Sequence, residues 1–112
     1  FFVTGPIMDP ATVAPSMEQL SRDPADPPVY VMVIPPFSLK WVERMESIGT
    51  VPVGDGLRHE LAAGISRERA WELSLDVANA ARDAGFGGVI LTGLKYDTVV
   101  DEAAEVWHPA NR

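Results

Sequence analysis

The chain has 112 residues, 46% of them apolar and 22% charged, with 9 Lys and Arg against 16 Asp and Glu and a formal net charge of −7. This is the composition of a globular chain with one modest core, read as a single domain over 1–112, and the acidic balance excludes a nucleic-acid-binding face, which needs clustered cations. No stretch approaches the roughly 18 to 20 apolar residues of a membrane helix, and the lack of Cys excludes disulfides, thiolate metal sites and thiol nucleophiles, in keeping with a reducing, cytoplasmic setting.

Phe1 to Thr4 is apolar and β-prone, and Gly5-Pro6 predicts its end. The chain opens without Met, as though entered within a strand, so the expectation is a segment of a larger unit. Ile7 to Pro15 reads as a loop, followed by a short helix over about Ser16 to Arg22 with Ser16 as N-cap. Asp23 to Pro28 holds three prolines and predicts a stiff connector. Val29-Tyr30-Val31-Met32-Val33-Ile34 is continuously apolar, the pattern of a strand buried on both faces of a parallel sheet.

Pro35-Pro36 stops that strand. Ser38 can cap a helix reaching Ile48, with Leu39, Val42, Met45 and Ile48 on one face, and Gly49 suits a left-handed stop. Asp55 can cap a short helix through Leu57 and Leu61, ended by Gly64. Ser66 to Ala84 has the clearest helical stripe, and Gly85 closes it. Val89 to Thr92 is a third strand, and Thr98 to Trp107 has the spacing of a last helix before Pro109.

The order is three strand/helix units with substantial crossovers, which predicts parallel strands. It suits either a very small doubly wound sheet or three consecutive units of a (β/α)8 barrel, which needs roughly 250 residues to close. In both, ligands gather at the C-terminal ends of strands. Those ends are predicted at Thr4-Gly5-Pro6, Pro35 to Ser38 and Thr92 to Tyr96.

No short catalytic motif is present. Gly85 to Gly88 precedes a strand, whereas a dinucleotide loop follows one, and Val53 to Gly56 lacks the Lys of a phosphate loop, so both read as turn and cap glycines. His59 and His108 lack metal-ligand spacing and read as surface or packing residues; no metal site is expected. The helical carboxylates read as a solvated face. Asp9 is the carboxylate best placed near a ligand, with loop capping as its commoner role. Trp41, Trp71 and Trp107 read as packing residues, whereas Phe37 and Tyr96, just past strand ends, can stack on a planar ligand.

Taken together, Phe1-Phe2-Val3-Thr4, Val29 to Ile34 with its prolines, Phe37 to Lys40 entering a helix, and Arg67 to Leu91 with Ala84-Gly85-Phe86-Gly87-Gly88 resemble the C-terminal part of a methylenetetrahydrofolate reductase, strands six to eight of a (β/α)8 flavoprotein. The resemblance implies FAD as cofactor, NAD(P)H as co-substrate and reduction of 5,10-methylenetetrahydrofolate to 5-methyltetrahydrofolate. It implies substrate contacts at Gly5, Phe37, Lys95 and Tyr96 and cofactor contacts at Thr4 and Thr92. Gly5 stands where the family has a Gln, and Leu94-Lys95-Tyr96 where it has Leu-Asn-Arg. The family's acid/base Glu belongs to earlier strands, so no catalytic residue is assigned here. Expected partners are the folate substrate, the remaining barrel or another subunit, and further copies of the chain, with neither membrane nor nucleic acid. The rival readings are a non-catalytic α/β binding or assembly module and a folate-handling or methyl-transfer relative without hydride transfer.

Overall fold

The structure is a computed structural model that describes residues 2–20, 25–49 and 51–92. Its elements are β1 (Phe2–Ile7), a 3-10 turn (Pro10–Thr12), α1 (Val13–Glu18), β2 (Val29–Val33), α2 (Leu39–Ile48), α3 (Asp55–Ala63), α4 (Arg67–Ala84) and β3 (Gly88–Leu91). The strands form one sheet in the order β1-β2-β3, parallel throughout, as the alternation of strands and helices predicts. This establishes a small α/β fold. The expected helix over Thr98 to Trp107 lies outside the described residues.

Capping side chains start the helices where the sequence places them. The Ser38 hydroxyl accepts the Trp41 N–H at 3.1 Å, and the Ser66 hydroxyl accepts the Arg69 N–H at 3.0 Å, each satisfying a donor that the first helical turn leaves without an intrahelical partner. Gly85 ends α4 at φ 91°, in the left-handed region that a side chain disfavours.

Five local expectations are corrected. Asp55 does not cap α3 but is its first residue, with Gly54 in the cap position, because the Gly54 backbone is already extended and leads straight into the first turn. β1 continues through Gly5-Pro6 to Ile7, because an edge strand tolerates a proline and the extra residue is absorbed by a bulge between Val3 and Pro6. The first helix begins at Val13, and Ser16 lies within it, donating its hydroxyl to the Thr12 carbonyl at 2.7 Å. A 3-10 turn capped by Asp9 nucleates that helix early, an arrangement that depends on Asp9 being held from elsewhere in the chain. Gly49 is extended at φ −169° and so needs no glycine-specific conformation. Finally, β2 is not buried on both faces: Val29, Val31 and Val33 are buried, while Tyr30 and Met32 are half-buried.

That alternation reflects a one-sided sheet. Ile7, Val29, Val31 and Val33 pack with Val13 of α1, Val77 and Ala81 of α4, and Phe86. The residues that alternate with them, Val3, Tyr30, Met32 and Ile90, belong to neither buried cluster. A second cluster, Met8, Ile34, Val42, Val51, Leu57, Leu61 and Leu73, sits beyond the C-terminal ends of β1 and β2 among α2, α3 and the start of α4. α4 therefore joins both, through Leu73 in one and Val77 with Ala81 in the other. Each fully buried Val or Leu contributes about 1.5–3 kcal/mol, so the helix that spans both clusters couples the sheet to the cap above it.

Candidate functional site

The C-terminal ends of the three strands are drawn together by the ladder itself. The Ile34 N–H donates to the Ile7 carbonyl at 3.3 Å, and the Thr92 N–H donates to the Val33 carbonyl at 3.0 Å. Met8-Asp9, Pro35-Pro36-Phe37 and Thr92 thus lie along one rim of the sheet. Met8, Pro35 and Pro36 are buried there.

Asp9 is 6% exposed, and its carboxylate is engaged on both oxygens. Oδ1 accepts the Ala11 N–H at 3.0 Å, and Oδ2 accepts the Gly54 N–H at 2.7 Å. The first bond caps the 3-10 turn, and the second ties the loop before α3 to the end of β1. Asp9 is therefore a clamp between two loops, the capping role that its sequence context allows.

Phe37 follows the buried prolines and is half-buried. Its ring meets Trp71 edge-on, with centroids 5.6 Å apart and planes at 77°, and the Arg67 guanidinium stands 4.7 Å from the ring centroid. Such aromatic pairs and cation–π contacts each contribute about 0.5–1.5 kcal/mol. Trp71 is 3% exposed, so the ring is pinned against the body of α4. The sequence carries a signal for this arrangement: Arg67 and Trp71 are four residues apart on one helix and share a face.

Thr4 and Gly5 lie inside β1, in the bulge. The Thr4 hydroxyl accepts the Met32 N–H at 3.1 Å and donates to the Gly5 carbonyl at 2.8 Å. A side chain thus stands in for the backbone acceptor that the bulge displaces. Thr4 also lines a groove of about 360 Å3 with Phe2, Val3 and Leu20, which flanks the N-terminal half of β1. Gly5 is exposed. The structure therefore brings Phe37 and Thr92 to the strand-end rim and sets Thr4 and Gly5 short of it; Lys95 and Tyr96 lie outside the described residues.

The fit of these groups to a flavin can be judged from their hydrogen bonds. A hydroxyl has one donor, and that of Thr4 is spent on Gly5. Gly5 offers no side chain, and the Phe37 ring is engaged by Arg67 and Trp71. Of the two residues read as cofactor contacts, Thr4 thus has its hydroxyl hydrogen engaged within β1, and Thr92 uses its backbone N–H on Val33.

The charged side chains are organised around the helices instead. Arg58 of α3 forms a two-pronged pair with Glu46 of α2, which holds the guanidinium above its ordinary pKa. Arg69 of α4 pairs with Glu60 of α3 at 2.8 Å and with Glu72 at 3.1 Å, and its pKa is raised by Glu60 first and Glu72 second. Together the two pairs run from α2 through α3 to α4. His59, beside Glu60, is exposed on α3. Among the described residues no cluster of three His, Asp or Glu has metal-site geometry, and no helix is long and apolar enough to cross a membrane. Compared with protein families, with characterised proteins and with solved structures, the chain shows no match.

Proposed function

We propose that this chain forms three wall units, strands six to eight, of a methylenetetrahydrofolate reductase-like (β/α)8 oxidoreductase, which uses FAD and NAD(P)H to reduce 5,10-methylenetetrahydrofolate. One observation supports the reading beyond the sequence resemblance. Three sequential parallel strands carry their buried cluster on one face and leave Val3, Tyr30, Met32 and Ile90 outside any cluster on the other. Parallel sheets are stable with both faces covered, and a barrel wall meets that need by turning its second face onto the strands opposite. In this reading the flavin is held by units outside these residues, and Phe37 with Thr92 borders the substrate side of the strand-end rim.

The test is spectroscopic and catalytic. The complete protein should purify with, or take up, a flavin absorbing in the visible, and 5,10-methylenetetrahydrofolate should reoxidise the NAD(P)H-reduced flavin. No flavin uptake and no folate-dependent reoxidation would overturn the proposal. A second reading, a non-catalytic assembly module, draws on the engagement of Phe37 by Trp71 and Arg67, which uses the ring for packing. The two separate on Phe37→Ala: a pocket residue loses folate affinity with the fold intact, whereas an assembly residue loses stability or association alone.

A further inference from the structure

The described helices divide into two sets. α1 packs on α4, and α4 packs on β2 and β3, whereas α2 and α3 pack on each other. The buried clusters divide the same way. The sheet cluster draws on the strands, Val13, Val77, Ala81 and Phe86. The second is built from Val42 of α2, Val51, and Leu57 and Leu61 of α3, which rest on Met8, Ile34 and Leu73. Among the described residues none belongs to both clusters. α2 and α3 thus form a cap whose apolar contacts can be lost while those of the sheet persist.

We infer that the α2–α3 cap, Leu39–Ile48 with Asp55–Ala63, opens by local unfolding over the strand-end rim while the sheet and α4 stay folded. Helix length supplies the first argument. α2 has 10 residues and α3 has 9, short of the roughly 12 to 15 at which an isolated helix holds in water. Off the body neither helix persists, so detachment and melting are one event.

The joints supply the second. The Gly54 N–H on Asp9 at 2.7 Å and the Glu60–Arg69 pair at 2.8 Å tie α3 to the body, whereas Arg58 with Glu46 ties α3 to α2 and so stays within the cap. The Arg69 pair is partly exposed on both partners, and such pairs hold weakly. Segments that open first are those with few buried groups. α2 buries Val42 and α3 buries Leu57 and Leu61, against six buried residues in α4.

The place of the cap supplies the consequence. Met8, Ile34, Pro35 and Pro36 are buried at the strand ends beside it, and those ends are where parallel α/β folds hold ligands. Opening of the cap is the motion that bares this rim. The inference rests on the two clusters and the helix lengths and is independent of the flavoprotein reading.

Hydrogen exchange of the intact protein, followed in rising urea below the midpoint, tests it. After correction for intrinsic rates, amides of residues 42–48 and 59–63 should share one opening constant, at least about tenfold larger than that of the β2 amides, with a shallower but nonzero urea dependence. Val77→Ala removes a sheet contact that the open form keeps. It should speed the β2 amides and leave the cap amides unchanged within about twofold. A single opening constant and urea slope for cap and sheet, or Val77→Ala speeding both in step, would mean global unfolding. Cap amides without urea dependence would mean residue-by-residue fraying; each of these overturns the inference. If Val77→Ala fails to fold, the urea slopes of the unsubstituted protein decide alone.

Discussion

Asp9 spends both carboxylate oxygens on backbone N–H groups, one local at Ala11 and one from Gly54 in the loop before α3, 45 residues along the chain from Asp9. Removing it leaves buried donors unsatisfied, each at about 1–3 kcal/mol. Asp9→Ala should therefore lower the urea midpoint markedly with an unchanged slope, and Asp9→Asn, which keeps an acceptor oxygen, should lower it less. Gly87 makes a different demand. A Cβ there would come within 2.8 Å of both Pro28 Cβ and Tyr30 Cε1, so the Tyr30 ring lies against bare backbone. Gly87→Ala should destabilise by about 1–3 kcal/mol through overpacking. Gly56, in the first turns of α3 with open space around it, is the contrast: Gly56→Ala should be neutral or stabilising by up to about 1 kcal/mol. Reading both Gly85 to Gly88 and Val53 to Gly56 as turn and cap glycines did not distinguish these roles, because a close approach by a residue of another strand is invisible in the local sequence.

Helix positions were legible because their signals are local. Ser38 and Ser66 cap the helices they precede, and the apolar spacing of α2 and α4 gives their buried faces. α1 was not legible in its start, since its nucleating turn depends on Asp9, whose second bond reaches residue 54. The ion pairs among α2, α3 and α4 are likewise tertiary. Arg69 has its pKa raised, so its contribution is complete below the ordinary arginine range and is lost only as strong alkali deprotonates it; between pH 6 and 9 the pair should hold constant. Because its partners are partly exposed, Arg69→Ala should cost no more than about 1 kcal/mol, and that loss should shrink in 1 M NaCl, as measured by parallel urea titrations.

Among the described residues, β1 and β3 each have one edge without a paired strand, and one face of the sheet lies outside the buried clusters. Phe2 is 61% and Val3 39% exposed on β1, an apolar edge with backbone groups available for pairing. The 112-residue chain by itself should self-associate in sedimentation velocity, and Phe2→Lys with Val3→Lys should shift it towards monomer without changing its circular dichroism. A monodisperse monomer of the unsubstituted chain would show that the open face needs no cover. The same openness supports the barrel reading and its test. It also bears on the continuous apolar run of β2: among the described residues, helices pack on only one of its two faces.

Alternation of strands and helices, the cap residues and the spacing of α4 sufficed to determine a parallel α/β fold, because each depends on neighbours within a few residues. The candidate strand-end residues were partly legible for the same reason: Phe37 and Thr92 do reach the rim. Tertiary structure alone decided the rest. It carried β1 past Pro6 through a bulge whose missing acceptor is the Thr4 hydroxyl, turned the Phe37 ring onto Trp71 and Arg67, and made Asp9 a clamp. Each of those outcomes rests on a partner distant in sequence, and the hydrogen-bonding capacity of one side chain does not reveal which distant group will fill it.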